Sequence, residues 1–234
     1  MTSYIKVFFI IIYTTIFSVI SLFAGILDRS HNIYFMLSRL FGKGVLAIAR
    51  VKLKISGLEN IDKNKSYIFV SNHSSQFDIP SLQVAIPQQA SIVYKKELTK
   101  IPLFGWQMRF GPYIMIDRQN VDSALKSIEM AKKLMSERGR SILLFAEGSR
   151  SKTGEVQPFK RGAFYLASRV GHPIVPVSIS GANKILPKGK FKIKKGVIHI
   201  HFASPIETGN ISTRKEELEL MEKVRNVVIE NIKP

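Results

Sequence analysis

The sequence predicts an α/β fold: a mixed, largely parallel sheet flanked by helices, carried behind an N-terminal two-helix hydrophobic membrane motif. Three observations lead there. From Val51 onward, short apolar runs of strand length alternate with longer segments of helical periodicity. Before Val51 stands an uncharged apolar run, Val7 to Leu27, long enough to cross a hydrocarbon core. Three polar clusters each follow directly on a strand, where open α/β sheets gather their sites. The expected division is therefore residues 1–50 as membrane-anchoring helices and residues 51–234 as one α/β domain.

The first segment is longer than the apolar core of a signal peptide, and no small-residue cleavage site follows Phe23-Ala24-Gly25, so it is expected to stay attached. The second, His31 to Arg50, carries Arg39, Lys43 and Arg50 at offsets of four and eleven, within about 40° of one another on a helix. That basic stripe on an apolar cylinder predicts a helix lying in the interface with its bases at lipid headgroups. Whether the first segment spans or re-enters stays open at this point.

Val51, Leu53 and Ile55 alternate with Lys52, Lys54 and Ser56, a half-buried strand that stops at Gly57. Tyr67 to Val70 reads as an interior strand, followed by a helix from about Pro80 to Ile86. Ser91 to Tyr94 is a strand; Pro102 opens a short helix that ends at Gly111-Pro112; Tyr113 to Ile116 is a strand closing on Asp117-Arg118. Val121 to Arg138 is the clearest helix, with Leu125, Ile128, Ala131, Leu134 and Met135 on one face and Gly139 as its stop. Ile142 to Ala146 is a buried strand, and Phe159 to Arg169 a helix. Ile174 to Ile179 is a strand that Pro176 assigns to a sheet edge or a strand end. Lys184 to Lys195 is very basic and turn-like. Val197 to Phe202 alternates, and Thr213-x-x-Glu216 is a capping box opening the last helix, to about Ile229.

A chain of 234 residues, 45% hydrophobic, supports one core. It has no cysteine, which excludes disulfides, thiolate metal sites and a cysteine nucleophile. The net charge of +18 calls for a polyanionic partner, and the apolar N-terminus favours anionic membrane lipids or a phosphorylated substrate over nucleic acid. His199 and His201 share a strand face without a third ligand, so no metal is expected.

Chemistry concentrates in Asn72-His73-Ser74-Ser75-Gln76-Phe77-Asp78. A five-residue offset places two helical side chains about 140° apart, so His73 and Asp78 meet only if His73 precedes the helix and the turn bends back. A carboxylate on one ring nitrogen fixes the tautomer and leaves the other nitrogen as a base for a hydroxyl. On its own the stretch also fits a loop histidine and a helix cap. Glu147-Gly148-Ser149-Arg150 offers a permissive glycine, backbone N–H groups for an anion nest and a guanidinium for phosphate oxygens. Lys160, before the next helix, repeats that theme. Lys95, after its strand, could neutralise an oxyanion or a second phosphate. No Gly-x-Ser-x-Gly elbow, phosphate loop or dinucleotide fingerprint occurs.

Taken together these blocks resemble the membrane glycerolipid acyltransferases, in layout the bacterial 1-acylglycerol-3-phosphate O-acyltransferases. Asn72 to Asp78 resembles the first family block, and Lys95-Lys96-Glu97-Leu98 through Ile101 to Gly105 the stretch after it. Gly111 to Arg118 is similar to the second, Glu147 to Ser151 to the third, and Pro173 to Val177 to the fourth. The resemblance implies transfer of an acyl group from acyl-CoA or acyl carrier protein to the free hydroxyl of lysophosphatidic acid, giving phosphatidic acid. It implies His73 as general base, Asp78 as its partner and Lys95 at the oxyanion. Glu147, Gly148, Ser149 and Arg150, with Asn72 and Lys160, then serve the acceptor. It further implies no cofactor beyond the acyl donor as co-substrate, a two-helix motif in one leaflet, and a place on the cytoplasmic face of the inner (plasma) membrane. Another lysolipid acceptor, such as lyso-ornithine lipid, is the alternative within this class. A non-catalytic basic membrane protein that binds polyanions is the alternative outside it.

Overall fold

The computed structural model describes residues 2–117, 121–209 and 211–233. Two helices, α1 (Ser3–Leu27) and α2 (Asn32–Ala49), precede β1 (Val51–Ser56). There follow β2 (Ile68–Ser71), α3 (Asp78–Ala85), β3 (Ala90–Lys95), α4 (Phe104–Phe110), β4 (Ile114–Ile116), α5 (Val121–Ser136) and β5 (Ser141–Phe145). The chain closes with α6 (Arg161–Val170), β6 (Ile174–Ser180), α7 (Ala182–Ile185), β7 (Gly196–Phe202) and α8 (Arg214–Glu230). The strands form one sheet in the order β1-β7-β6-β2-β5-β3-β4. All neighbours run parallel except β6 and β7.

The sheet has a core on each face because its interior strands are apolar on both sides, as parallel strands covered by helices must be. Phe69, Leu143 and Val175 face α2 and α3, meeting Tyr34, Leu46 and Leu82. Ile68, Ile142 and Ile174 face α5, α6 and α8, meeting Ala131, Phe164 and Val224. From β2 the chain crosses by α3 on the first face to β3, whereas from β5 it crosses by α6 on the other face to β6. β2 and β5 are neighbours, so their outgoing connections part and leave a crevice at the carboxyl ends of these two strands.

The N-terminal helices are packed onto this domain. Gly42 of α2 lies against Pro80 of α3; a Cβ there would come within 2.7 Å of the Pro80 carbonyl oxygen. Tyr34, Val45, Leu46 and Ala49 join the core, so a cut at residue 50 opens it. Helix α1 is long and apolar enough to cross a membrane by length and composition, and Phe8, Phe9, Ile12, Ile16 and Phe23 lie exposed along it. Yet the domain holds both its ends. Lys6 donates from Nζ to the Ala49 carbonyl at 2.8 Å, and Gly25 fits against the Phe110 carbonyl, about 30 Å further along the helix.

Several expectations need correction. Pro176 sits in β6, an interior strand between β7 and β2, not at an edge. Its carbonyl accepts the Ala203 N–H at 3.0 Å, and its missing N–H falls on that same flank, just past the last residue of β7, so the single bond forgone lies at the end of that pairing rather than within it. Leu125 is half exposed while Ile128, Ala131, Leu134 and Met135 are buried; at 100° per residue it stands about 110° from the centre of their arc. The stripe on α2 divides: Arg39 turns inward to the Ile86 and Pro87 carbonyls at the end of α3, while Lys43 and Arg50 remain exposed. Arg118 lies outside the described residues.

Candidate active site

The turn between β2 and α3 brings His73 back onto the helix it precedes. Asp78 is the first residue of α3 and is fully buried. Its Oδ2 accepts the Ser74 N–H at 2.7 Å, the Ser75 N–H at 2.8 Å and His73 Nδ1 at 2.7 Å. The helix N-terminus favours the negative charge that attracts these donors. Because the carboxylate accepts, Nδ1 carries the proton and the ring is held as the tautomer with Nε2 free to accept. The ring also stacks on Phe145 at the end of β5, 4.0 Å between centroids and 21° between planes. One torsion is thus set by Asp78 and the ring plane by Phe145.

Asn72 is buried, and its amide takes both the Ile179 N–H at 2.8 Å and the Ile179 carbonyl at 2.9 Å. It pins the end of β2 to β6 and turns its polar atoms into the sheet rather than the crevice. From β5, Glu147 reaches under the same turn: Oε1 accepts the His73 N–H at 3.0 Å and Oε2 accepts Gln157 Nε2 at 2.7 Å. Ser151 donates its N–H to the His73 carbonyl at 2.7 Å. The two strand-end loops therefore grip His73 by both of its peptide groups. Burial pushes the Glu147 carboxyl up to about 7, against the His73 and Gln157 hydrogen bonds that pull it down.

Gly148 takes φ +73, a left-handed conformation open to glycine at little cost. Ser149 and Arg150 are half-buried, and the Ser149 carbonyl accepts Gln157 Nε2 at 3.0 Å. The Arg150 guanidinium has no hydrogen bond or ion pair among the described residues, whereas its carbonyl accepts Lys188 Nζ at 2.7 Å. Ser75 Oγ bonds the Leu186 carbonyl, so the segment from Leu186 to Lys188 closes against both loops. Lys160 is exposed, but its N–H bonds the Ala146 carbonyl at 2.8 Å, which holds the start of α6 beside Glu147. Lys95 ends β3, two strands from β2 and so about 10 Å across the sheet. It is exposed and makes no hydrogen bond to His73, Asp78 or Glu147.

Four contributors escaped sequence reasoning. Phe145 and Gln157 carry no motif of their own, because an aromatic strand end and an amide are common, and Ser151 closes the third block with no role read for it there. Lys188 lies in the basic turn-like stretch that the sequence did single out, and that charge was its only signal.

The Acyltransferase family model matches residues 52–180, more than half of the chain and all of the residues just described except Leu186 and Lys188. The chain belongs to the acyltransferase family. This acyltransferase is 29% identical over 215 residues to the 1-acyl-sn-glycerol-3-phosphate acyltransferase of Saccharomyces cerevisiae, covering 91% of the chain and 70% of that protein. It is 30% identical to the enzyme of the same name from Limnanthes douglasii, with 87% and 70% covered. The crystal structure of the 1-acyl-sn-glycerophosphate acyltransferase PlsC from Thermotoga maritima superposes with a TM-score of 0.80 at 28% identity, covering 97% of this chain and 92% of that one. The acyltransferase thus has the fold of PlsC, helices α1 and α2 included.

Proposed function

We propose that the enzyme transfers an acyl group from acyl-CoA or acyl carrier protein to the 2-hydroxyl of lysophosphatidic acid, giving phosphatidic acid for phospholipid synthesis. The observation that carries the reading is the 2.7 Å contact between His73 Nδ1 and a fully buried Asp78, with Nε2 left to act. The acceptor hydroxyl gives its proton to Nε2 as its oxygen attacks the thioester carbonyl. The carbon–sulfur bond then breaks, and the imidazolium returns the proton to the departing thiolate. Asp78 stabilises the imidazolium between these events. No acyl-enzyme forms, in keeping with a chain that has no cysteine.

Arg150, with Lys188 beside it, takes the acceptor's phosphate, a pairing of guanidinium and phosphate oxygens that is geometrically specific. Glu147 acts through His73, whose N–H it holds, and is a positioning residue. Lys95 stands at the same end of the sheet and supplies positive charge toward the thioester oxygen as it becomes an oxyanion. Residues 1–50 anchor the enzyme to the cytoplasmic face of the membrane. The two tethered ends of α1 favour a helix lying along the domain in one leaflet, so the lipid acceptor enters sideways.

Lysophosphatidic acid and a phosphate-free lysolipid, offered with one acyl donor to the wild type and to Arg150→Ala, test the reading. The phosphate-bearing acceptor should be preferred by the wild type and lose that preference in the variant. Equal use of both acceptors by the wild type points to a different lysolipid.

A further inference from the structure

At the opposite end of the sheet, about 20 Å along β5 from Glu147, a second polar site remains unexplained by the chemistry above. A pocket of about 360 Å³ is lined by Arg29, Ser30, Asn32, Gln89, Arg138 and Arg140. Three arginines and three polar residues form it, and no carboxylate does. Arg140 is 3% exposed. One of its nitrogens donates to the Ser30 carbonyl, its face covers Phe35 at 5.1 Å, and Nη1 is buried with no acceptor among the described residues. Arg138 donates to the Arg29 carbonyl. The nearby acid, Asp28, spends its oxygens on Ser30 and on the Ile33 N–H, capping α2. Burial, and then the Arg138 charge, lower Arg140 to about 10, against the opposing pull of Asp28.

We infer that this pocket is a binding site for the phosphate group of an anionic membrane phospholipid, separate from the acyl-transfer centre. A buried guanidinium nitrogen with no acceptor, in a pocket walled by like charges, needs an anion with several oxygens, and phosphate supplies them. The source is lipid because of where the pocket opens. It lies at the turn between α1 and α2, directly after the apolar helix and beside Leu27, Ile33 and Met36, which are 77%, 50% and 60% exposed. A phospholipid seated there places its phosphate on the arginines and its chains along these side chains. The occupied site fixes the depth and rotation of the helix pair at the headgroup level.

The test uses the full-length enzyme and the exposed pair Arg29→Gln with Arg138→Gln. The control, Lys43→Gln with Arg50→Gln, removes the same charge from exposed positions of the same region. Each is bound to vesicles of phosphatidylcholine alone and of phosphatidylcholine with phosphatidylglycerol. The number of phosphatidylglycerol molecules retained in detergent is then counted by native mass spectrometry. Loss of each pocket arginine should weaken phosphatidylglycerol binding about fivefold, with the control pair losing clearly less and acyl transfer in detergent unchanged in both. Arg140→Lys, which keeps the charge and loses the second nitrogen, should retain lipid at an intermediate level. Equal losses in the two pairs, or full retention in the pocket pair, overturns the site. A lipid-free enzyme whose melting temperature rises as much with inorganic phosphate as with phosphatidylglycerol assigns the pocket to a soluble anion and overturns the lipid reading.

Discussion

Asp78 Oδ2 lies 2.7 Å from His73 Nδ1 and accepts two further backbone N–H groups from the residues between them. Three donors on one buried oxygen make this turn rigid, and they make the histidine's orientation depend on one carboxylate. Asp78→Asn keeps the shape but removes the charge, and it can present N–H where an acceptor is needed. The expected result is a fall in kcat of about 10² to 10⁴ with a small change in KM, measured under saturating donor and acceptor. A buried acceptor partly lost should also destabilise the fold by about 1–3 kcal/mol.

Glu147 gives a pH signature. Its carboxyl stands at about 7 in the fold against an ordinary 4.5, so between those values the folded state holds a proton that the unfolded state has released. The stability this contributes is fully present below pH 4.5 and is lost as pH rises through about 7. Melting curves of the wild type and Glu147→Gln across this range should therefore shift against the wild type as pH rises. Parallel curves would place the titration elsewhere.

Arg150 and Lys188 meet through the Arg150 carbonyl, which puts two cations at the mouth of the crevice. Arg150→Ala should raise the KM for lysophosphatidic acid by about tenfold to a hundredfold, the worth of a charge-assisted hydrogen bond, and leave the donor KM near its original value. Lys188→Gln should act in the same direction and less strongly. Separate titrations of acceptor and donor check both.

Gly42 sets how closely α2 approaches α3. A Cβ would meet the Pro80 carbonyl oxygen at 2.7 Å and the Val84 side chain at 3.0 Å. Gly42→Ala should destabilise the enzyme by about 1–3 kcal/mol, as overpacking does, seen as a lower denaturation midpoint.

Whether α1 lies along the domain in one leaflet, as proposed, or spans a bilayer can be read by depth. The chain has no cysteine, so single cysteines at Phe8, Ile16 and Phe23 can each carry a fluorophore. A helix lying along the domain gives similar quenching by lipids labelled at one depth for all three positions. A spanning helix gives a graded series.

The sequence carried the fold well where the signal was local. The Thr213 and Glu216 capping box forms as written, with Glu216 N–H on Thr213 Oγ1 and Thr213 N–H on the Glu216 carboxylate. The meeting of His73 and Asp78 followed from the geometry of one turn. What escaped depends on distance along the chain. Glu147 reads as part of an anion nest until the partner of its oxygen proves to be the N–H of His73, 74 residues earlier. Asn72 faces Ile179, 107 residues later. Pro176 misled because an interior strand tolerates proline where the bond it forgoes lies at the very end of one pairing, just past Phe202 of β7. Arg39 was placed at lipid because its helical angle matched those of Lys43 and Arg50, while a long side chain can reach the end of a neighbouring helix.

The role of His73 as the base in transfer of an acyl group to lysophosphatidic acid is open to one decisive assay. The direct measurement is phosphatidic acid formed from labelled acyl-CoA and from labelled acyl carrier protein in membranes holding the wild type or His73→Ala. Product is expected from at least one donor with the wild type, and a loss of about 10² to 10⁴ in rate with the variant. Wild-type rates in His73→Ala would contradict that role.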